Sequence, residues 1–282
     1  SVMYDRMTAE EQNQLTNELQ ISQKLAHPNL LQTYQFFKQN GILYIVIEYA
    51  EQSLLSFINQ RKQAQKPLQR HEIVDIMRQI IAGLQFLHSH NIIHRNLSLN
   101  EIFLCRDPNG FITVKISDFS LSKLLTLGQQ AKTQCGSQFY MSPEQLMGLP
   151  YSYDCDVWAL GVIFYVLVEL EFPFSDEDLQ KEVRSVVKCE YRHLDWLPQQ
   201  ILTRIFTQSA KRFKLPEILE LEYFKLPESP EKVKLETIPG IRSIVISNVV
   251  PPTDQIDTCL SGKILMPAQS QTREQVAKKG CC

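Results

Sequence analysis

Two turn signatures, each flanked by apolar segments, restrict the fold of this 282-residue chain more than any other feature. Asn40-Gly41 separates "TYQFF" from "ILYIVIEY", and an Asn-Gly pair between apolar runs predicts a tight β-hairpin. Residues 107–110, Asp-Pro-Asn-Gly, separate "IFLC" from "ITVKI" and predict a second, short hairpin. Because helical patterns surround both hairpins, we expect a mixed α+β fold.

Three segments have the pattern of helices. Thr8 followed by Glu11 forms a capping box, and leucines behind it predict an amphipathic helix over residues 8–25. Apolar residues at helical spacing predict another over Glu72–His88. The apolar run Trp158–Leu170 falls short of the roughly 18 residues that cross a bilayer, so it predicts a buried helix.

The helical signals continue from about Pro143 and fade from about Pro227. The remaining residues include "VVPPTDQ" and "MPAQSQTREQ", which have the composition of a flexible tail. We therefore expect a folded domain over residues 1–226 and a flexible tail over residues 227–282.

Charge and cysteine usage narrow the classes of partner. The 29 basic and 31 acidic residues give a formal net charge of −2, which argues against nucleic acid as a partner. The seven cysteines show no C-x-x-C spacing, which favours free thiols in a reducing compartment. Residues 1–20 are polar and acidic, unlike a signal peptide. We expect a cytoplasmic protein.

Three short motifs occur in the order and spacing of a protein kinase. "HRN", residues 94–96, stands at the place of the catalytic-loop H-R-D. "DFS", residues 118–120, stands at the place of D-F-G, and "SPE", residues 142–144, at that of A-P-E. Ordered motifs together are far more specific than any one of them, so the chain resembles a protein kinase.

Further segments extend the resemblance over about residues 1–226. "DVWALG", residues 156–161, resembles the buried central helix of the large lobe, and Arg212 stands where an Arg usually pairs with the A-P-E Glu, here Glu144. "MTAEEQNQLTNELQISQKLAHPNLL" and "AKTQCGSQFYMSPE" are most similar to the NIMA-related (Nek) Ser/Thr kinases.

The resemblance implies a bilobal kinase-like fold. Residues 1–50 would form a partial N-terminal lobe, and residues 51–226 a mainly helical C-terminal lobe. No G-x-G-x-x-G occurs in the chain, and the strand Lys that pairs with the helix Glu, here Glu18, would precede Ser1. We therefore expect a truncated N-terminal lobe, either in the gene product or because the sequence is a fragment.

The resemblance also implies ATP and Mg²⁺ as cofactors. Glu48 and Ala50 align with the hinge that holds adenine, and Asp118 aligns with the metal-binding Asp of D-F-G. Glu101 stands at the position of the second metal ligand, and a carboxylate can bind Mg²⁺. Structural alternatives stay open: Glu18 as a solvated helix charge, Asp118 as a structural Asp, and the hinge as an ordinary apolar strand.

The catalytic loop departs from the kinase pattern at three positions, one of them Glu101, which stands in place of the usual Asn. Asn96 replaces the Asp that accepts the substrate proton, and Ser98 replaces the Lys placed against the transferred phosphoryl group. Loss of a general base lowers the rate by roughly 10² to 10⁴. We therefore expect a pseudokinase that binds protein partners, with weak or absent ATP binding. The alternatives are a weakly active or incompletely represented Ser/Thr kinase, and a decayed product without a role.

Two segments suggest modification. Thr133 lies where Nek-like kinases carry an activation-loop phosphosite, with Arg95 as the partner for the phosphate, although an unmodified loop Thr stays an alternative. The terminal Cys281 and Cys282, preceded by two lysines, resemble the double Cys that Rab-type GTPases have geranylgeranylated. Two lipids would give a stable membrane anchor.

Overall fold

The computed structural model describes residues 4–106, 111–117, 123–124, 138–174, 178–194 and 197–225. Within these ranges the side chains of residues 14, 18, 123, 124, 179 and 197 lie outside the description. The predicted turn at residues 107–110 and the predicted tail at residues 227–282 also lie outside the described residues.

Helices and strands alternate in the first half of the chain, and helices dominate the second. The α-helices are α1 (Ala9–Lys24), α2 (Leu54–Gln63), α3 (Arg70–Ser89), α4 (Pro143–Leu146), α5 (Asp154–Glu169), α6 (Leu179–Lys188), α7 (Leu197–Ile205) and α8 (Leu215–Leu219). Short 3-10 helices span Tyr4–Arg6, Gln138–Tyr140, Ser209–Lys211 and Glu222–Phe224. The strands are β1 (Thr33–Gln39), β2 (Ile42–Ile47), β3 (Gln52–Ser53), β4 (Ile92–Ile93), β5 (Ile102–Arg106), β6 (Ile112–Ile116) and β7 (Lys123–Leu124).

The first unit is α1 packed on the β1–β2 hairpin. The predicted capping box is confirmed, because the Thr8 N–H donates to Glu11 Oε2 at 2.7 Å and the Glu11 N–H donates to Thr8 Oγ1 at 3.3 Å. The predicted turn is confirmed as well: Asn40 and Gly41 have φ of 49° and 74°, which a two-residue turn between antiparallel strands requires. A small core of Tyr4, Leu19, Phe36 and Leu43 joins helix and hairpin.

The second sheet has the order β3-β5-β6, and its pairs are antiparallel. Ile102 pairs with Ile116 and Leu104 with Val114, which confirms that "IFLC" and "ITVKI" form a hairpin. These side chains are buried beneath α3, whose bounds agree closely with the predicted helix over residues 72–88. A further two-stranded sheet joins β4 to β7.

The centre of the second half is α5, where residues 155–167 are all buried. This confirms the buried helix predicted from its apolar sequence. Gly161 allows α7 to approach, because a Cβ at this position would lie 3.0 Å from the Phe206 ring and still closer to Ile205. Among the described residues no helix has the length and apolar character needed to cross a membrane.

Candidate functional site

The loop between β4 and β5 is anchored by one buried carboxylate at the start of α5. Asp156, 1% exposed, accepts the backbone N–H groups of His94 at 3.0 Å and Arg95 at 2.9 Å, and lies 2.8 Å from His88 Nε2. Burial alone would raise the pKa of Asp156, but the hydrogen bonds from His88 and from the His94 backbone N–H favour the ionised form, and the net effect is a lowered pKa. Asp156 therefore stays ionised and holds the loop.

His94 joins this loop to the end of β6. The side chain is fully buried, its Nε2 lies 2.8 Å from the backbone oxygen of Ser117, and its Nδ1 accepts the Asn96 N–H at 3.3 Å. Because Nδ1 accepts, Nε2 carries the proton that is donated to Ser117. His94 is therefore a packed core residue, and its role is to position the residues on either side.

Two of the altered loop positions, Asn96 and Ser98, lie among buried leucines. Asn96 is half-buried, Ser98 is 3% exposed, and Leu97 and Leu99 are buried beside them. The Leu99 N–H donates to the Tyr140 hydroxyl at 3.3 Å, so the segment before α4 also holds the loop. Burial raises the pKa of that hydroxyl to about 12, outweighing the opposite effect of the Leu99 bond. The Asn96 amide can exchange hydrogen bonds but cannot take up a proton.

Glu101 lies beside the segment that leads to Asp118. Its carboxylate accepts the Ser117 hydroxyl at 3.1 Å, and its backbone oxygen accepts the Ser117 N–H at 2.8 Å. Carboxylate oxygens are the ligands that Mg²⁺ prefers, so Glu101 has the chemistry of a metal ligand, and its role as one stays a prediction. Within the described ranges no group of three or more His, Cys, Asp or Glu is arranged to hold a metal ion.

The segment aligned with the adenine hinge links β2 to β3. The Glu48 carboxylate pairs with Lys115 Nζ at 2.9 Å and also accepts the Gln32 N–H at 3.3 Å, while the Glu48 N–H donates to the Gln32 oxygen at 2.8 Å. Tyr49 is 58% exposed, and its backbone oxygen accepts the Cys105 thiol at 3.6 Å. Lys115, which no motif of the sequence marks, ties this segment to β6.

The predicted pair between Arg212 and Glu144 is confirmed. Arg212 Nη2 lies 3.0 Å from Glu144 Oε1, and the Arg212 side chain is 1% exposed. Its other N–H groups donate to the backbone oxygens of Asp154, Ile205 and Thr207. The guanidinium also lies 5.0 Å from the Trp158 ring centroid, so the pair joins α4, α5 and the segment after α7.

The predicted site residues thus fall into two described groups. Arg95, Asn96, Ser98 and Glu101 lie on one loop, while Glu48 and Ala50 lie on the linker between β2 and β3. The Glu18 side chain lies outside the described residues, and so do Asp118, Thr133, Cys281 and Cys282. The roles assigned to them stay predictions.

Comparison with known proteins identifies the family. A family model described as "Protein kinase domain" matches residues 1–224. The chain belongs to the protein kinase family. The expected kinase fold is thereby confirmed, and the β1–β2 hairpin, the α3-covered sheet and the buried α5 are parts of a kinase domain.

Curated relatives of this kinase domain carry the name serine/threonine-protein kinase PLK4. The protein from Drosophila grimshawi is 30% identical over 234 residues, which cover 81% of this chain and 30% of the relative. The protein from Drosophila melanogaster is 33% identical over 198 residues, which cover 68% of this chain and 25% of the relative. The chain therefore spans less than a third of the length of the curated relatives it matches.

Proposed function

We propose that this kinase domain is a protein-interaction module with impaired phosphoryl transfer. The observation that carries the proposal is Asn96, at the position where a kinase places its proton acceptor. Ser98, at the position of the phosphoryl-contacting Lys, supports the same reading because a hydroxyl carries no charge.

The surroundings of Asn96 support a preserved loop with altered chemistry. Asp156 and His94 hold the loop backbone through hydrogen bonds of 2.8 to 3.3 Å, as a working catalytic loop would need. The side chain that would take the proton is nevertheless an amide. A fold that keeps its geometry without the reacting group suits binding better than catalysis, because fold alone does not determine activity.

An active Ser/Thr protein kinase is the second candidate. The names of the relatives favour it, and the activation segment "AKTQCGSQFYMSPE" resembles that of Nek kinases, although the Nek relation stays a prediction. In this case Glu48 and Ala50 would lie along adenine, and Glu101 with Asp118 would hold Mg²⁺, which supplies charge neutralisation for the phosphates. Asn96 would then only orient the substrate hydroxyl.

Radiolabelled phosphate transfer from ATP to a generic Ser/Thr substrate separates the two candidates. The wild-type chain, Asn96→Ala and Asp118→Asn are compared at equal concentration. The proposal expects the three proteins to show the same background incorporation. Turnover by the wild type that Asp118→Asn abolishes would contradict the proposal and support the active kinase, because a contaminating kinase would be insensitive to both substitutions.

A further inference from the structure

A cavity of about 440 Å³ lies at the end of α5, bounded by residues 171–174 and by α6 with the segment that follows it. Its lining residues include none of the catalytic-loop or hinge positions. The volume is sufficient for one long side chain of another protein.

The lining of this cavity is acidic. Among the described residues that line it, Glu171, Glu182 and Glu190 carry carboxylates and Arg192 is the one base. Glu182 is only 5% exposed and has an interaction of its own, and Glu171 also lies 4.0 Å from Lys62, so Glu190 is the most accessible of the three carboxylates. The Arg192 guanidinium is already paired, at 2.6 Å with Glu169 and 3.6 Å with Glu171. Glu190 is 67% exposed at its side chain and is 3.9 Å from Lys188, a separation at which the pair is weak. The cavity therefore favours a cationic guest.

Aromatic rings form the remaining walls. Tyr191 makes edge contacts with Tyr165 and Phe174, with ring centroids 6.4 and 6.0 Å apart, and its hydroxyl accepts a hydrogen bond from Gln199 at 2.8 Å. These contacts keep the rings in position before any guest arrives. Phe172 and Tyr191 are the partly exposed rings of this lining. Carboxylates beside such rings suit guanidinium in particular, because it is planar, weakly hydrated and able to stack while it donates hydrogen bonds.

The position of the cavity favours a guest carried on another polypeptide. Phe172, at its edge, contacts Phe139 and Tyr140, with centroids 5.6 Å apart in both pairs. Phe139 is 48% exposed, and Met147 and Leu149 beyond α4 are exposed to similar degrees. Apolar surface next to an acidic cavity is the arrangement expected for a peptide that places one basic side chain between apolar contacts.

We propose that this cavity receives an arginine side chain from a basic segment of a partner protein. The inference rests on the proposed function in one respect, since it names the chemistry of the partner that such an interaction module would bind. Phosphoryl transfer by the chain would contradict the proposed function and leave this binding site untouched, so the two can fail separately.

Isothermal titration calorimetry with three short acetylated peptides tests the proposal. One peptide carries two arginines between glycine and leucine residues, the second carries citrulline in their place, and the third carries glutamate. The arginine peptide is expected to bind with a dissociation constant in the micromolar to millimolar range at low salt. Citrulline keeps the shape and removes the charge, so it should bind at least tenfold more weakly. Equal binding of the citrulline or glutamate peptide would overturn the proposal, as would no binding of the arginine peptide.

A matched pair of variants locates the binding. Glu190→Gln removes one cavity carboxylate. Glu220→Gln is the control, because Glu220 is also exposed and also lies 3.9 Å from a lysine, but it is located at the C-terminal end of α8. Glu190→Gln is expected to weaken the arginine peptide three- to tenfold and Glu220→Gln to leave it unchanged. Equal effects would assign the binding to general surface charge.

Sedimentation velocity is run in parallel, and self-association that Glu190→Gln abolishes would assign the cavity to a second copy of the chain and overturn the proposal. Unchanged melting temperatures show that both variants are folded.

Discussion

The Asp156 carboxylate accepts the Arg95 backbone N–H at 2.9 Å, and Arg95 has a φ of 67°. A non-glycine residue in the left-handed region is strained, so other contacts must hold it there. The Asp156 carboxylate supplies such a contact, and it also accepts a hydrogen bond from the neighbouring His94 N–H at 3.0 Å. The start of α5 therefore determines the shape of the loop that carries Asn96.

Asp156→Asn is predicted to destabilise the fold by about 3 kcal/mol, because hydrogen bonds to a buried charge are strong and one carboxylate oxygen becomes an amide donor facing other donors. Urea unfolding followed by circular dichroism measures the change. Arg184→Met, at an exposed residue of α6, is the control and should stay within about 0.5 kcal/mol of the wild type. A loss below about 1 kcal/mol for Asp156→Asn would show that the loop keeps its shape without the carboxylate.

The stabilisation by Asp156 should depend on pH. Its pKa in the folded state is lower than its ordinary value of 3.8, so the unfolded chain takes up the proton first as the pH falls. The difference in unfolding free energy between wild type and Asp156→Asn should be complete from about pH 7 to about pH 5 and should shrink below about pH 3.8. Urea unfolding at a series of pH values measures it. A difference that grows on acidification would contradict the prediction.

Arg212→Met should destabilise the protein by about 3 kcal/mol, because it leaves the Glu144 carboxylate, whose side chain is 12% exposed, without its cation. Adding Glu144→Gln to Arg212→Met should recover part of this loss, since the stranded charge is then removed. Chemical unfolding of the single and double variants gives both numbers. If the double variant is no more stable than Arg212→Met, the loss comes from the guanidinium contacts with backbone oxygens and Trp158 instead.

Gly161→Ala should destabilise the protein by about 1 to 3 kcal/mol through overpacking, although alanine is the better helix former. The new methyl group would overlap Ile205 across the contact between α5 and α7. Ile205→Ala removes the overlapping atoms at its own cost, so the double variant should lose less stability than the two single losses added together. Thermal and urea unfolding of the four proteins complete the cycle. Simple additivity would show that the overlap is relieved elsewhere.

Local sequence signals predicted the elements that local interactions stabilise. The capping box joins Thr8 to Glu11, three residues apart, and its hydrogen bonds confirm it. The hairpin turn depends on the adjacent residues Asn40 and Gly41, and their backbone angles confirm it. The motif order also placed Arg212 against Glu144 across 68 positions, because the family resemblance carried that pairing.

Contacts without a motif could not be predicted in this way. The ion pair of Lys115 with Glu48 joins β6 to the linker between β2 and β3, and the buried pair of Arg61 with Glu72 joins α2 to α3. Nothing in the local pattern marks these residues, since charged side chains at such spacing are common on solvated surfaces. The acidic cavity near Tyr191 is likewise assembled from separate segments, and only the folded chain brings its carboxylates and rings together.

The last prediction concerns nucleotide. Kinases hold the ATP phosphates largely with backbone N–H groups of a Gly-rich loop, and the 282 residues contain no G-x-G-x-x-G. The carboxylate of Glu48, on the segment aligned with the adenine hinge, is already engaged by Lys115. We therefore expect this chain to bind MgATP weakly, with a rise in melting temperature below about 1 °C at about 5 mM MgATP. A thermal-shift titration measures it, with equal concentrations of MgCl₂ and of sodium triphosphate as controls for ionic strength. A saturable rise in melting temperature of about 4 °C or more that Asp118→Asn abolishes would show a working nucleotide site and would support the active kinase.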